Sequence, residues 1–460
     1  MSDQELTRER GLRAGMASLN AQLLESKMEQ DSNEAVSSGL EARLEEARVE
    51  YEAFQTELYA AHSELRVQRA QVPPVTIDNI ADLFPEGGTT AFLEFVVLTD
   101  KTFLFVLTRT STAALRKIDL RVYVLPVKQK QLAEQVQGFR QALAEHRLNV
   151  LPAASQLYDL LLRPAQVQLQ GTDTLTIVPD DVLWQLPFQA LRQPDHQYLI
   201  EGHVISYVPS LTVLRELMRK RRPDELRAAK APRMLLAFGG PAMEEGLVER
   251  AKTAFADQLL EPLPEAEREV QLLGQLYGKD QSTIFTGIAA TKNTLKAQAG
   301  NYRILHLATH AVLNDSNPMY SQLLLSSSGA AGSGDEFLEA WEIMQLDLRA
   351  DLVVLSACET GRGRIGAGEG VIGLSWALFV AGAPTAVVSQ WKVESKSNTE
   401  FMLEFHKQIR NDLQRTGVMN TAAALRQAAL KLLGSKQYDD PFYWAPFVVV
   451  GNGMGNRSVR

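Results

Sequence analysis

Asp351-Leu-Val-Val-Leu-Ser-Ala-Cys-Glu-Thr-Gly361 and Arg303-Ile-Leu-His-Leu-Ala-Thr-His310 are the two stretches that decide the fold. Each is a short aliphatic run closed by small or polar residues, the pattern of a buried parallel strand. One run leads into the single cysteine of the chain, Cys358, and the other ends in a histidine 48 positions earlier. Open α/β sheets bind ligands outside the carboxyl ends of their strands, so adjacent strands with these endings bring a thiol and an imidazole to one crevice. The chemistry served by that pairing is nucleophilic attack by a thiolate whose proton the imidazole takes and later returns.

Around this pair the pattern alternates. Strand-like runs at 233–238, 283–286, 303–308, 321–326, 351–357, 385–390 and 446–450 are interleaved with helical patterns at 264–277, 292–298, 370–381, 397–410 and 420–433. Such alternation predicts an α/β fold with a mostly parallel sheet and helices on both faces. Upstream, runs at 95–98 and 102–107 flank Thr99-Asp100-Lys101 as a hairpin. A strand at 120–125, a helix at 131–146 and a strand at 174–178 follow, and Pro179-Asp180-Asp181 makes a turn. That segment carries no evident catalytic set. Residues 1–72 are helical in pattern: Leu40, Leu44, Ala47, Tyr51, Phe54, Leu58, Ala61 and Leu65 alternate steps of four and three, as do Leu12, Met16, Leu19 and Leu23. With a polar turn at Gln30–Glu34 these form a helical hairpin, ended by Pro73-Pro74. The expected organisation is therefore a helical hairpin at 1–72, an α/β subdomain at 73–225 and a catalytic α/β domain at 226–460.

A formal charge of −8 argues against nucleic-acid backbone binding, which needs a concentrated basic surface. With 45% hydrophobic and 22% charged residues the composition is that of a folded globular chain. One cysteine cannot form an intramolecular disulfide, and neither a signal-peptide pattern nor a membrane-length apolar run is evident, so a cytoplasmic location is expected. No cofactor is expected. His306 and His310 lack the helix and intervening glutamate of a metalloprotease motif, so no metal site is expected either. Gly361-Arg-Gly-Arg-Ile-Gly366 matches a dinucleotide fingerprint and keeps a nucleotide-binding alternative open, although its glycines begin several residues past the strand. The Gly- and Ser-rich segments 326–335 and 361–370 read as mobile loops beside the crevice.

His306-Leu-Ala-Thr-His310, Leu355-Ser-Ala-Cys-Glu-Thr-Gly361, Gly368-Glu-Gly370 and Ser389-Gln-Trp391 occur in order, with a closing Trp444-Ala-Pro-Phe447. Together they resemble the CHAT domain, a caspase-like cysteine peptidase module related to separase and often found with tetratricopeptide repeats. The resemblance runs from about Gly87 to Gly451. It implies a caspase-like sheet preceded by an inactive protease-like subdomain, a Cys358–His310 dyad, and an oxyanion site of the backbone N–H groups of Cys358 and Ala311. Ala311 stands where many caspase-like enzymes have glycine. The same resemblance assigns the substrate pocket to Ser356, Ser389, Gln390 and Trp391, and Glu394 or Asp315 nearby would favour a basic residue by charge. A cysteine endopeptidase follows, acting on a protein substrate in a bacterial defence or signalling pathway, with the N-terminal helices as a docking site for a protein regulator. The alternative from another class is an interaction scaffold whose dyad is idle.

Overall fold

The computed structural model describes residues 73–77, 79–85, 89–112, 115–147, 150–219, 233–242, 262–312, 321–327, 336–356, 365–366, 370–371 and 373–455, together with scattered helical positions between Arg8 and Phe54. Residues 75–243 and 262–460 form one compact unit, and 1–74 with 244–261 form another. In the smaller unit, Leu40, Leu44 and Phe54 are buried, and the Arg8 guanidinium lies 5.1 Å from the centre of the Phe54 ring. The later positions of the expected seam, Leu58, Ala61 and Leu65, fall outside the described residues.

The larger unit is built on one eleven-stranded sheet. Its strands in chain order are β1 (Thr90–Val97), β2 (Thr102–Thr112), β3 (Leu115–Leu125), β4 (Thr174–Val178), β5 (Val204–Tyr207), β6 (Arg233–Pro241), β7 (Ser282–Gly287) and β8 (Tyr302–Ala308). After the two-residue β9 (Ala311–Val312), β10 (Gln322–Leu324) and β11 (Phe337–Glu339) come β12 (Leu352–Leu355), β13 (Ile365–Gly366), β14 (Gly370–Val371), β15 (Thr385–Ser389) and β16 (Phe447–Gly451). The spatial order is β3-β2-β1-β4-β5-β16-β15-β12-β8-β6-β7. Only β3/β2, β2/β1 and β16/β15 pair antiparallel; the other neighbours run parallel. Every residue of β12, β15 and β16 is buried, as expected of strands covered on both faces.

The segments expected at 73–225 and 226–460 share this sheet. The join is β16, which runs parallel to β5 on one side and antiparallel to β15 on the other. Gln189 reinforces it: its amide donates to Ala445 O at 2.5 Å and its carbonyl accepts from Tyr207 Oη at 2.7 Å.

Helices of seven residues or more are α1 (Gln129–Ala144), α2 (Leu151–Leu161), α3 (Leu211–Arg219), α4 (Pro264–Tyr277), α5 (Lys292–Gln298), α6 (Leu374–Ala381), α7 (Ser395–Thr416) and α8 (Thr421–Leu433). The sequence pattern gives α4 and α5 at these bounds. It misses α2, α3 and β5, and it starts α6 at 370, where the structure has β14. The run at 321–326 departs from expectation more instructively. Its core, β10, lies outside the large sheet and forms a three-stranded antiparallel sheet with β9 and β11. At three residues each, β10 and β11 are too short for apolar periodicity to assign them to a sheet.

Gly239 sets how closely α4 approaches the sheet. A Cβ there would lie 2.4 Å from Ala266 O and 2.5 Å from a Val270 methyl, so only glycine lets the start of α4 rest on β6.

Candidate active site

The histidine-bearing strand β8 and the strand β12 that leads toward the cysteine are neighbours, parallel, with Leu307 beside Leu355. His310 follows Leu307 by three residues, and in the sequence Cys358 follows Leu355 by three. Cys358, Glu359 and Asp315 lie outside the described residues, as do 328–335, 361–364 and 367–369 of the two expected loops.

His310 is buried where the chain passes from the large sheet into the small one. Leu324 N donates to His310 O at 2.9 Å, and the Thr309 hydroxyl donates to Leu324 O, so β10 holds the backbone on both sides of the turn. That bond also fixes the direction of Ala311. Ala311 faces Leu323, and antiparallel pairs alternate between bonded and non-bonded, so the bond from Leu324 to His310 makes Ala311–Leu323 a non-bonded pair. The Ala311 N–H therefore points away from β10.

Ser356, the residue after β12, accepts a hydrogen bond from Asn398 Nδ2 at 3.0 Å. The same nitrogen donates to Glu269 Oε2 at 2.8 Å, and Glu269 Oε1 accepts from His306 Nε2 at 2.7 Å. Beyond this, His306 Nδ1 meets His406 Nε2 at 3.1 Å, and His406 Nδ1 meets Tyr277 Oη at 3.1 Å. Glu269, His306 and His406 are each 0% exposed. Burial, and secondarily the adjacent His306, hold the His406 pKa well below the usual imidazole range, and burial pushes the Tyr277 phenol up. Two helical stripes supply the parts: Glu269, Leu273 and Tyr277 on α4, and Asn398, Met402 and His406 on α7, each at spacings of four. His306 lies between them on β8. It is thus a buried supporting histidine.

The remaining residues of the expected pocket sit at the end of β15 and just beyond it. The Ser389 hydroxyl donates to Trp391 O at 2.6 Å, and Trp391, 1% exposed, donates from its indole to Phe442 O at 3.1 Å. Gln390 is buried and ties the two halves of the sheet together: its amide donates to Trp184 O at 3.0 Å, and its backbone carbonyl accepts from Arg140 Nη2 at 2.7 Å. Glu394 is exposed at the N-terminus of α7. Of the expected set the structure therefore brings His310, Ala311 and Ser356 to the ends of adjacent strands, while Ser389, Gln390 and Trp391 form a buried, hydrogen-bonded wall.

Of the nucleotide fingerprint, residues 361–364 lie outside the described residues, and the described part does not support that alternative. Ile365–Gly366 pairs antiparallel with Gly370–Val371 as a small ribbon, and the next helix starts only at Leu374, whereas a dinucleotide fingerprint opens directly into a helix whose N-terminus receives the pyrophosphate. Among the described residues no cluster of three or more His, Cys, Asp or Glu could hold a metal, and no helix is long and apolar enough to cross a membrane. Sequence reasoning missed Glu269, Asn398, His406 and Tyr277. The signal available for them was the pair of four-residue stripes in otherwise amphipathic helices.

A family model described as "CHAT domain" matches residues 151–452. Tetratricopeptide repeat protein 28 from Homo sapiens is 26% identical over 345 residues, covering 66% of this chain and 13% of its own, and the Mus musculus protein of the same name is 25% identical over the same length. The chain thus spans 13% of the length of these curated relatives. Among solved structures, the Saccharomyces cerevisiae separase–securin complex aligns with a TM-score of 0.47 at 10% identity, over 81% of this chain and 30% of that one. The Arg-specific cysteine proteinase gingipain R aligns with a TM-score of 0.40 at 11% identity, over 72% of this chain and 77% of that one.

Proposed function

The chain belongs to the CHAT domain family, and from that premise we propose that it is a cysteine endopeptidase in which Cys358 is the nucleophile and His310 the general base. The observation that carries this reading is the register of β8 and β12. Leu307 and Leu355 are side by side on parallel strands, and His310 and Cys358 each follow three residues later. Covalent geometry alone keeps the Cys358 Cα within about 7.6 Å of the Ser356 Cα, two trans peptide units at most.

His310 takes the proton from Cys358 Sγ, and the thiolate attacks the carbonyl carbon of the scissile peptide. The tetrahedral oxyanion is met by the N–H groups of Cys358 and Ala311; the orientation of Ala311 away from β10 supports this role. Collapse breaks the C–N bond, His310 returns the proton to the leaving amine, and water hydrolyses the thioester. The substrate is a protein segment bound along the strand ends, with Ser356 at the base of the pocket before the scissile bond. Ser356 is uncharged, and the exposed Glu394 at the N-terminus of α7 favours a basic residue at that position over an acidic one by charge. The family resemblance supports a regulated enzyme of a bacterial defence or signalling pathway, with the N-terminal segment 1–72, helical in its sequence pattern, docking the regulator.

A peptide library incubated with the protein, with and without candidate activating partners, tests the proposal. Cleavage lost in both Cys358→Ala and His310→Ala supports it. Cleavage that persists in Cys358→Ala overturns it, and no cleavage under any activating condition assigns the chain to an idle scaffold.

A further inference from the structure

Resting on the peptidase reading above, we infer that the run from buried Tyr277, His406, His306 and Glu269 to the half-buried Asn398 is a positioning device that holds Ser356, and through it the approach to Cys358, from inside the sheet. The donor and acceptor accounting leaves the run little freedom. Both oxygens of Glu269 are engaged by donors, one by His306 Nε2 and one by Asn398 Nδ2. Both hydrogens of Asn398 Nδ2 are spent, on Glu269 and on Ser356 Oγ. Flipping the Asn398 amide would set its carbonyl oxygen against a carboxylate oxygen, so the carboxylate dictates which end of the amide meets Ser356. Ser356 Oγ is thereby made an acceptor, and its own proton is directed elsewhere.

Behind the carboxylate, His306 is held by both ring nitrogens. His406, kept neutral by burial, carries a single N–H that goes to one neighbour while its other nitrogen accepts. The anchors lie on different elements: Glu269 and Tyr277 on α4, Asn398 and His406 on α7, His306 on β8. Ser356 is thus referenced to two helices and the central sheet at once. Apolar residues of equal volume would stabilise such a core as well or better, because burying a charge and several polar groups costs desolvation. What the polar run supplies, and aliphatic packing does not, is a directional restraint on one atom two residues before the nucleophile.

Cys358 is the only cysteine, so alkylation by iodoacetamide reports on it directly and needs no peptidase activity. Asn398 is only partly buried, and Asn398→Ala is the variant of choice. The expected result is an alkylation midpoint about one pH unit higher, with a rate at pH 7 about tenfold lower, because the thiolate is less well placed against its base. Ser356→Ala should give a similar change, and Asn398→Ala should add nothing in the Ser356→Ala background, as two ends of one bond are coupled. Ser356→Thr, which keeps the hydroxyl, should restore the parent profile. A folded Asn398→Ala protein with the parent pH profile overturns the inference, as do effects of Asn398→Ala and Ser356→Ala that add in full. If His310→Ala leaves the profile unchanged, the dyad fails instead, while the coupling between Asn398 and Ser356 is still read from the rates.

Discussion

Replacing Gly239 by alanine tests how the carboxylate beneath the site is placed. The new Cβ would fall 2.4 Å from Ala266 O and 2.5 and 2.9 Å from the two Val270 methyls, and two of these three contacts are on a side chain with one χ angle. Ordinary C···O contact needs about 3.3 Å, so the start of α4 must retreat by roughly 1 Å. Overpacking of this kind costs about 1–3 kcal/mol. Glu269 is three residues beyond Ala266, and a shift of that size stretches its 2.7 Å bond to His306 past hydrogen-bonding range. A buried group left short of a partner adds about 1–3 kcal/mol. The total of about 2–6 kcal/mol should lower the urea midpoint by about 1–2 M, taking a slope of ~3 kcal/mol/M. Urea titration followed by far-ultraviolet circular dichroism measures it. Gly138→Ala is the control: Gly138 lies in α1 with nothing within 4 Å of its added Cβ, and alanine there should stabilise by about 0.5–1 kcal/mol. A Gly239→Ala midpoint within about 0.1 M of the parent would refute the close-approach argument.

Acid should weaken the fold through His406, whose ring faces His306 and Tyr277, with Glu269 one residue further along the run. Its folded pKa is depressed well below 6.5, so below that value the unfolded chain binds a proton that the folded protein excludes. Stability is complete above the unfolded value and falls as pH drops through it, by up to about 1.4 kcal/mol per pH unit for this group. His203, depressed chiefly by burial, acts in the same direction. Denaturation midpoints at pH 7.5, 6.5 and 5.5 check this, and a flat profile contradicts it. Arg140→Ala removes the donor to Gln390 O from a side chain that is 6% exposed, and should cost about 1–3 kcal/mol by the same titration; an unchanged midpoint would show that this tie between the halves of the sheet is not needed.

The strands that carry the site were legible because they are buried on both faces and so read as apolar runs: Ile304–Ala308, interrupted only by His306, and Leu352–Leu355 need no partner to be recognised. The family motifs then matched in order. What was not legible depends on contacts between distant residues. That β16 would lie between β5 and β15, more than 230 positions from Tyr207 on one side, follows from no local pattern. The small sheet that fixes His310 is made of two- and three-residue strands, too short for periodicity. Glu269 stands in Glu265-Ala-Glu-Arg-Glu269, where a surface carboxylate is the natural reading; only its spacing of four and eight from Leu273 and Tyr277 marks the inward face. Trp391 and Gln390 lie in a family motif, and only the fold reveals their bonds to Phe442, Trp184 and Arg140.

The central claim is that one imidazole and one thiol form a working pair, and the ionisation of Cys358 tests it most directly. Absorbance of the thiolate near 240 nm, followed across pH, reads this single group in the intact chain once the tyrosine background is subtracted with Cys358→Ala. The account predicts a midpoint about one unit or more below the free-thiol value of about 8.5, returning toward that value in His310→Ala. A midpoint at or above about 8.5 in the parent, unmoved by His310→Ala, would contradict it.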